Sequence, residues 1–320
     1  MASVVVVQTI RDIYWRPVLE QGTVVTVGEY DGVHRGHRTV ISEMHRLAAE
    51  RGCETAVVTF DRHPATVVRP ESAPLLLCDL DHKLELLAET GVDYTLVVTF
   101  DKAQAAVPAE KFARDVLVDC LGARAVVVGA DFHFGSRRKG NIDTLRAVGL
   151  ESGYEVEALP LVRQMTGDGE IISSTSIRTA LADGDVERAH RLLGRPFEAR
   201  GTVATGDRRG RTIGFPTANI PTAADLQLPA DGVYAAWYHR PDGAQHPAAV
   251  NVGRRPTFYD FADRSLVEAH LIGFRGDLYG ESAAVRFVRR LRPERKFDGI
   301  DELAQQLRRD VDDAVKCLTD

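Results

Sequence analysis

The stretch VGEYDGVHRGH, from Val27 to His37, puts two imidazoles three residues apart among three glycines. An apolar run ends near Gly28 and an amphipathic pattern starts near Gly36, so a strand is expected to pass through a short loop into a helix. The unpaired N–H groups at a helix start attract anions, and Gly32 and Gly36 let backbone come close to a ligand. His34 and His37 can then face one anion and stabilise the charge that develops as pyrophosphate leaves. The same residues also read as a pair of surface histidines on a loop. In ISSTSIR (172–178), Ser173, Ser174 and Thr175 are N-cap types and Arg178 sits one turn in. That is either an anion-gripping helix start or an ordinary capped helix with a solvent-facing arginine.

Two further groups lie in the second half. In RTIGFPTANI (211–220), Thr217 and Asn219 stand two apart. If the segment is extended, their oxygens share one side and suit a hard cation beside phosphates; otherwise the segment is turn chemistry. Upstream, Gly201, Gly206, Gly210 and Gly214 alternate with Arg208, Arg209 and Arg211, a loop fit to wrap phosphates or to form a basic hairpin tip. In LVEAHLIG, alternation puts Glu268 and His270 on one face and Val267, Ala269 and Leu271 on the other. Glu268 is then either solvated or a base for a substrate hydroxyl.

The elements that must position these groups change character along the chain. Apolar β-branched runs at 23–28, 54–60, 94–100, 124–130 and 154–160 alternate with helix-spaced segments that end in glycine. Such alternation predicts a parallel sheet covered on both faces, with ligands beyond the carboxyl ends of its strands. The initial MASVVVVQTI is too short for a membrane span or a leader's apolar core and reads as a strand. From about Phe197, strand candidates follow one another across turns, and a helix pattern runs from about Asp301 to Cys317. The second half is expected to be a small antiparallel sheet or barrel with a terminal helix. The change of style places a boundary near residue 187, giving domains of 1–186 and 187–320.

The chain has 320 residues, 44% of them hydrophobic, and a net charge of −6. That is enough for two cores, and no sequence-wide basic surface advertises nucleic acid. The cysteines Cys53, Cys78, Cys120 and Cys317 are scattered without C-x-x-C spacing, which argues against zinc or a disulfide framework and fits a reducing cytoplasm. Neither a nucleic-acid nor a membrane partner is expected.

Four segments of the first half, GEYDGVHRGH (28–37), TFDRHP (59–64), VGADFHFG (128–135) and ISSTSIR, resemble, in order, the motifs of the bacterial bifunctional riboflavin kinase/FAD synthetases. GFPTAN (214–219), DGVY (231–234), NVGRRPTF (251–258), VEAH (267–270), DLYG (277–280) and LRPERKF (291–297) resemble their kinase module. The resemblance implies an α/β nucleotidyltransferase domain that moves AMP from ATP to FMN, followed by a Greek-key barrel that phosphorylates riboflavin, with Mg²⁺ assisting. It assigns His34 and His37 to catalysis of adenylylation, and Gly28, Asp31, Gly36, His63, Asp131, Asn141, Ser174, Thr175 and Arg178 to the ATP/FMN site. In the kinase half it implies Glu268 as the base, Thr217 and Asn219 as metal and phosphate ligands, and Gly201, Gly210, Gly214 and Asn251 in the ATP/riboflavin site. Small-molecule substrates (riboflavin, FMN, ATP) are the implied partners. Glu29-Tyr30, Arg62, His133 and Gly273 depart from the family pattern. The alternatives are a riboflavin kinase with a weakened or regulatory first domain, and a non-enzymatic flavin-binding protein.

Overall fold

A computed structural model describes residues 8–11, 21–162, 169–205, 214–254 and 265–319. Chain contacts divide it into two compact units, Met1–Ser173 and Ser174–Asp320.

The first unit is built on the expected parallel sheet. Its strands are β1 (Gln8–Ile10), β2 (Thr23–Val27), β3 (Glu54–Phe60), β4 (Tyr94–Val98), β5 (Ala123–Gly129) and β6 (Glu155–Leu159), in the order β1-β4-β3-β2-β5-β6. Every pairing is parallel. Alternation along β2 sends Val24 to one face and Val25 and Val27 to the other. Val24 packs with Ile41, Met44 and Leu86 from the helices Arg35–Arg51 and Leu80–Ala88, and Val25 with Val116, Leu117 and Leu145 of the opposite layer. The chain runs outward from β2 through β3 and β4, then returns to place β5 on its other side. The crevice beyond the carboxyl ends of β2 and β5 is therefore the switch point where such sheets bind ligands. Of the valine run at the start, Val4–Val7 lie outside the described residues; the strand described there is Gln8–Ile10.

The second unit opens with the helices Ser174–Ala182 and Val186–Leu193. It continues as β7 (Phe197–Thr202), β8 (Ala218–Pro221), β9 (Gly232–His239), β10 (Gln245–Arg254), β11 (Ser265–Leu271) and β12 (Ser282–Arg292), ordered β7-β12-β9-β10-β11-β8 with antiparallel pairing throughout. The two outer strands of that order meet where Ala204 N–H donates to the Asn219 carbonyl at 2.8 Å, so the sheet nearly closes into a barrel. Gly201 lies where β7 passes the Pro221 carbonyl, and a side chain there would strike that backbone. The interior is filled by fully buried Tyr234, Tyr238, Val250, Val267, Val285 and Phe287, with Tyr234 and Phe287 meeting edge to face at 5.4 Å.

The terminal helix Ile300–Thr319 is amphipathic, yet one of its buried residues is the carboxylate Asp310. It accepts two hydrogen bonds from the Arg292 guanidinium at 2.9 and 2.7 Å and one from Gln306 Nε2 at 2.9 Å. This planar fork anchors the helix to the end of β12. Removing one partner leaves a buried charge uncompensated, so Asp310→Ala is expected to cost about 3–5 kcal/mol. Urea unfolding followed through Trp237 of β9, in a Trp15→Phe background, measures it; an unchanged midpoint would show the pair to be idle.

Candidate active sites

The loop after β2 leaves the sheet at the switch point and turns by a left-handed route. Tyr30, Gly32 and Val33 have φ of 52°, 76° and 37°. For Tyr and β-branched Val that is an unfavourable conformation that needs support. Tyr30 supplies part of it, being buried with its hydroxyl 2.7 Å from Thr26 Oγ1. Burial pushes its phenol far above the ordinary value. Asp31, also buried, accepts from the Leu77 N–H at 2.8 Å, and the Gly32 N–H donates to Cys78 Sγ at 3.2 Å. Asp31, implied as a ligand residue, thus has one carboxylate oxygen on its own chain.

His34 is the N-cap of the helix Arg35–Arg51, with extended backbone (φ −73°, ψ 173°), and its Nδ1 accepts from the His37 N–H at 3.3 Å. An Nδ1 that accepts carries no hydrogen, which leaves Nε2 as the nitrogen able to donate. The two imidazoles stack with centroids 3.6 Å apart, and the Tyr30 ring lies 4.8 Å from that of His37. Gly36 sits in tight space: a Cβ there would stand 3.1 Å from His34 Cε1 and 3.2 Å from the Ile172 carbonyl, so these neighbours would have to give way. A Cβ on Gly28 would press on the Tyr30 ring at 3.0 Å. The two histidines are therefore brought together at a helix start, as their spacing suggested.

The remaining expected residues of the first half sit on local caps and loops. His63 Nδ1 accepts from the Ala65 N–H at 3.1 Å. Asn141 caps the helix Ile142–Ser152, its Oδ1 accepting from Thr144 N–H at 3.0 Å. Asp131 is exposed just beyond β5, and the exposed His133 shares a 2.8 Å hydrogen bond with the Asp131 carbonyl. Arg62 is exposed and folds onto Asp61 at 3.1 Å. Ser174, Thr175 and Arg178 open the helix of the second unit, with Thr175 exposed and Arg178 half-buried.

In the barrel, register does the assembling. Glu268 of β11 is paired with Asn219 of β8 on one side and Asn251 of β10 on the other. Directly opposed residues point to the same face, so the three side chains form a row across adjacent strands. Val267, Ala269 and Leu271 are buried on the other face, while Glu268 and His270 are half-buried, as alternation required. His270 Nδ1 shares a 2.8 Å hydrogen bond with the Pro216 carbonyl, fixing the segment that carries Thr217. A cleft of about 730 Å³ opens at this end, lined in part by Thr217, Asn219, Phe274, Asp277 and Tyr279. Gly273, one of the departures, has φ 74°, the left-handed region that favours glycine. Gly214 has φ 85°; Gly210 and the arginines 208, 209 and 211 lie outside the described residues.

Sequence reasoning left out three contributors. Glu294 accepts from Asn251 Nδ2 at 3.2 Å and sits over Gly253. Thr26 anchors Tyr30. Lys83 donates from the helix Leu80–Ala88 to the backbone of two strand ends. No spacing rule marks any of them: Glu294 and Lys83 act across long stretches of sequence, and Thr26 meets Tyr30 only because the chain between them turns. Lys83 stands out only once the set His82, Lys83, Leu86 and Leu87 is seen to be buried.

Hydrogen-bond donors at a helix start and a carboxylate flanked by amides both handle phosphate chemistry without a protein nucleophile, and they place the chain among the nucleotide-dependent transferases. Comparison with known proteins narrows this. Residues 17–176 match the FAD synthetase family model and residues 193–318 the riboflavin kinase model. The bifunctional riboflavin kinase/FMN adenylyltransferase of Escherichia coli K12 is 39% identical over 291 residues, covering 91% of each chain. That of Haemophilus influenzae is 37% identical over 307 residues, covering 96% of this chain and 98% of its own. A crystal structure from Streptococcus pneumoniae, described as a macrolide-efflux protein, is 31% identical with a TM-score of 0.83, covering 96% of this chain and 98% of its own. Among the described residues here, no helix is long and apolar enough to cross a membrane. The chain belongs to the bifunctional riboflavin kinase/FMN adenylyltransferase family.

Tyr30→Phe isolates the support of the left-handed loop. It leaves the buried Thr26 hydroxyl without its partner, at an expected cost of about 1–3 kcal/mol. Thermal unfolding of the full chain is expected to begin at a lower temperature, and an unaltered unfolding curve would mean that the loop does not lean on this bond.

Proposed function

We propose that the chain makes flavin cofactors in two steps at these two sites: ATP-dependent phosphorylation of riboflavin to FMN in the barrel, then adenylylation of FMN to FAD at the sheet. The observation that carries the reading is the registered row of Asn219, Glu268 and Asn251, whose Asn219 end also lines the cleft.

In the kinase step, Glu268 takes the proton of the ribityl hydroxyl as its oxygen attacks the γ-phosphorus of ATP and ADP departs. Asn251 is held by Glu294 next to that base. Thr217 and Asn219 supply a hydroxyl and an amide oxygen at the cleft, hard donors suited to Mg²⁺ completed by phosphate oxygens and water. When bound, Mg²⁺ neutralises phosphate charge.

In the adenylylation step, an FMN phosphate oxygen bonds to the α-phosphorus of ATP as the bond to the pyrophosphate oxygen breaks. The role of the chain is positioning and charge stabilisation. His34 donates through Nε2–H and His37 stands stacked beside it. Ser174, Thr175 and Arg178 hold the β- and γ-phosphates, and Gly28, Gly36, His63, Asp131 and Asn141 shape the nucleotide and flavin pocket. The domains are 1–186 for adenylylation and 187–320 for the kinase. Cytoplasmic residence belongs to the same proposal, and the scattered cysteines without C-x-x-C spacing suit a reducing compartment.

Chromatography of the flavins formed from riboflavin and Mg-ATP tests the whole reading. FAD is the expected product; FMN alone would leave only the kinase, and no product would defeat both steps. Glu268→Gln is expected to lower FMN formation by about 10²–10⁴-fold, with FAD formation from supplied FMN intact. Near-normal kinase turnover in that variant would remove Glu268 as the base.

A further inference from the structure

Lys83 is a charged side chain in the core of the first unit. It is only 7% exposed, and its ammonium donates to the Phe60 carbonyl at 2.8 Å and the Glu29 carbonyl at 3.2 Å. The Phe60 carbonyl ends β3, and the Glu29 carbonyl lies two residues past the end of β2. The strand ladder between them closes with the Gly28 N–H on the Val58 carbonyl at 3.0 Å, after which the chain turns away into the left-handed loop. Lys83 occupies the place where the two strand ends part. The Thr59 hydroxyl, at 3.0 Å, reaches the same Glu29 carbonyl.

Burying an ammonium is costly unless its charge is used. Among the described residues, no carboxylate forms an ion pair with Lys83 at contact distance. Charged and titratable side chains surround it at longer range from each neighbouring element: Glu29 and Asp31 on the β2 loop, Asp61 after β3, and Cys78 before its own helix. Burial pulls the ammonium below its ordinary value, and these groups oppose that pull. The cation therefore also offsets Glu29, the acidic departure beside the histidine loop.

We propose that Lys83 is a positioning residue of the adenylylation site: it ties the exits of β2 and β3 together and so fixes the loop that delivers His34 and His37. It touches no reacting atom. A simple packing residue would be served by Leu or Met; a donor to two strand ends would not. The inference rests on the adenylylation reading given above.

The test uses the full chain, in which FMN formation by the second unit reports on general integrity. Lys83→Met keeps the length of the stem and removes the donors. Its kcat for FAD formation from FMN and ATP is expected to fall about tenfold or more, as misplaced catalytic groups lose rate steeply. The KM for ATP should stay within about threefold, because the lost interaction serves the transition state. FMN formation should not change. Lys83→Arg, with donors that do not titrate, should recover most of the rate and carry the alkaline decline of kcat to higher pH. The sign follows from the lowered lysine: as pH rises through its folded value the ammonium loses its charge, and the rate falls. A Met variant with near-native kcat would overturn the proposal. So would equal losses in both variants with the natural pH profile, since shape alone would then matter. If the natural chain forms no FAD from FMN, the reading beneath the proposal fails and the proposal with it.

Discussion

The first unit turns on one constraint: a buried central strand must hand its chain to a helix within a few residues and leave two imidazoles at the junction. The direct way out is the left-handed route through Tyr30, Gly32 and Val33. Unfavourable backbone of this kind costs on the order of 1–3 kcal/mol per residue. It persists because the surroundings over-determine it. The Tyr30 hydroxyl, the Asp31 carboxylate, the Gly32 amide and the Glu29 carbonyl each end on a different partner. Most of those partners come from the segment 77–83 or the end of β3. The segment 77–83, which leads into the helix Leu80–Ala88, therefore braces the active edge while the helix covers the sheet.

The two units solve placement differently. In the first, the chemistry stands on loops and caps, and side-chain hydrogen bonds fix it. In the second, backbone register does so: Asn219, Glu268 and Asn251 are aligned because β8, β11 and β10 are paired as they are. Around that row, the Pro216 carbonyl and Glu294 trim the flanking segments. Strands are the more rigid platform, and loops are the more adjustable one.

Much of this was legible in residue order. Period-two and helical patterns marked the strands on both sides of the change of style, and the glycines around His34 and His37 marked the junction. Alternation put Glu268 opposite a buried face before any pairing was known. Strand β8 was legible only as a conditional, because Ala218–Pro221 is short and begins just after a proline. The neighbours of Glu268 were not legible as neighbours, since pairing of β11 with β8 and β10 is a long-range choice. Lys83 and Asp310 were hidden for another reason. Each is a charged residue inside a helix pattern, where a solvated face is the ordinary expectation, and only tertiary burial reveals otherwise.

The registered row also limits how this barrel can diverge. In a sheet with one packed face, a slip by a single residue exchanges inside for outside along the whole strand. Moving β11 by one position would drive Glu268 into the space held by Val267 and Ala269 and expel them. The spacing of the three polar side chains is thus inherited with the hydrophobic interior, not chosen apart from it. Descendants of this chain can change what they accept through the turn at 273–279, which lies between the backbone hydrogen bonds of Ile272 and Gly280. The strands themselves are locked to one arrangement for as long as the barrel keeps its core.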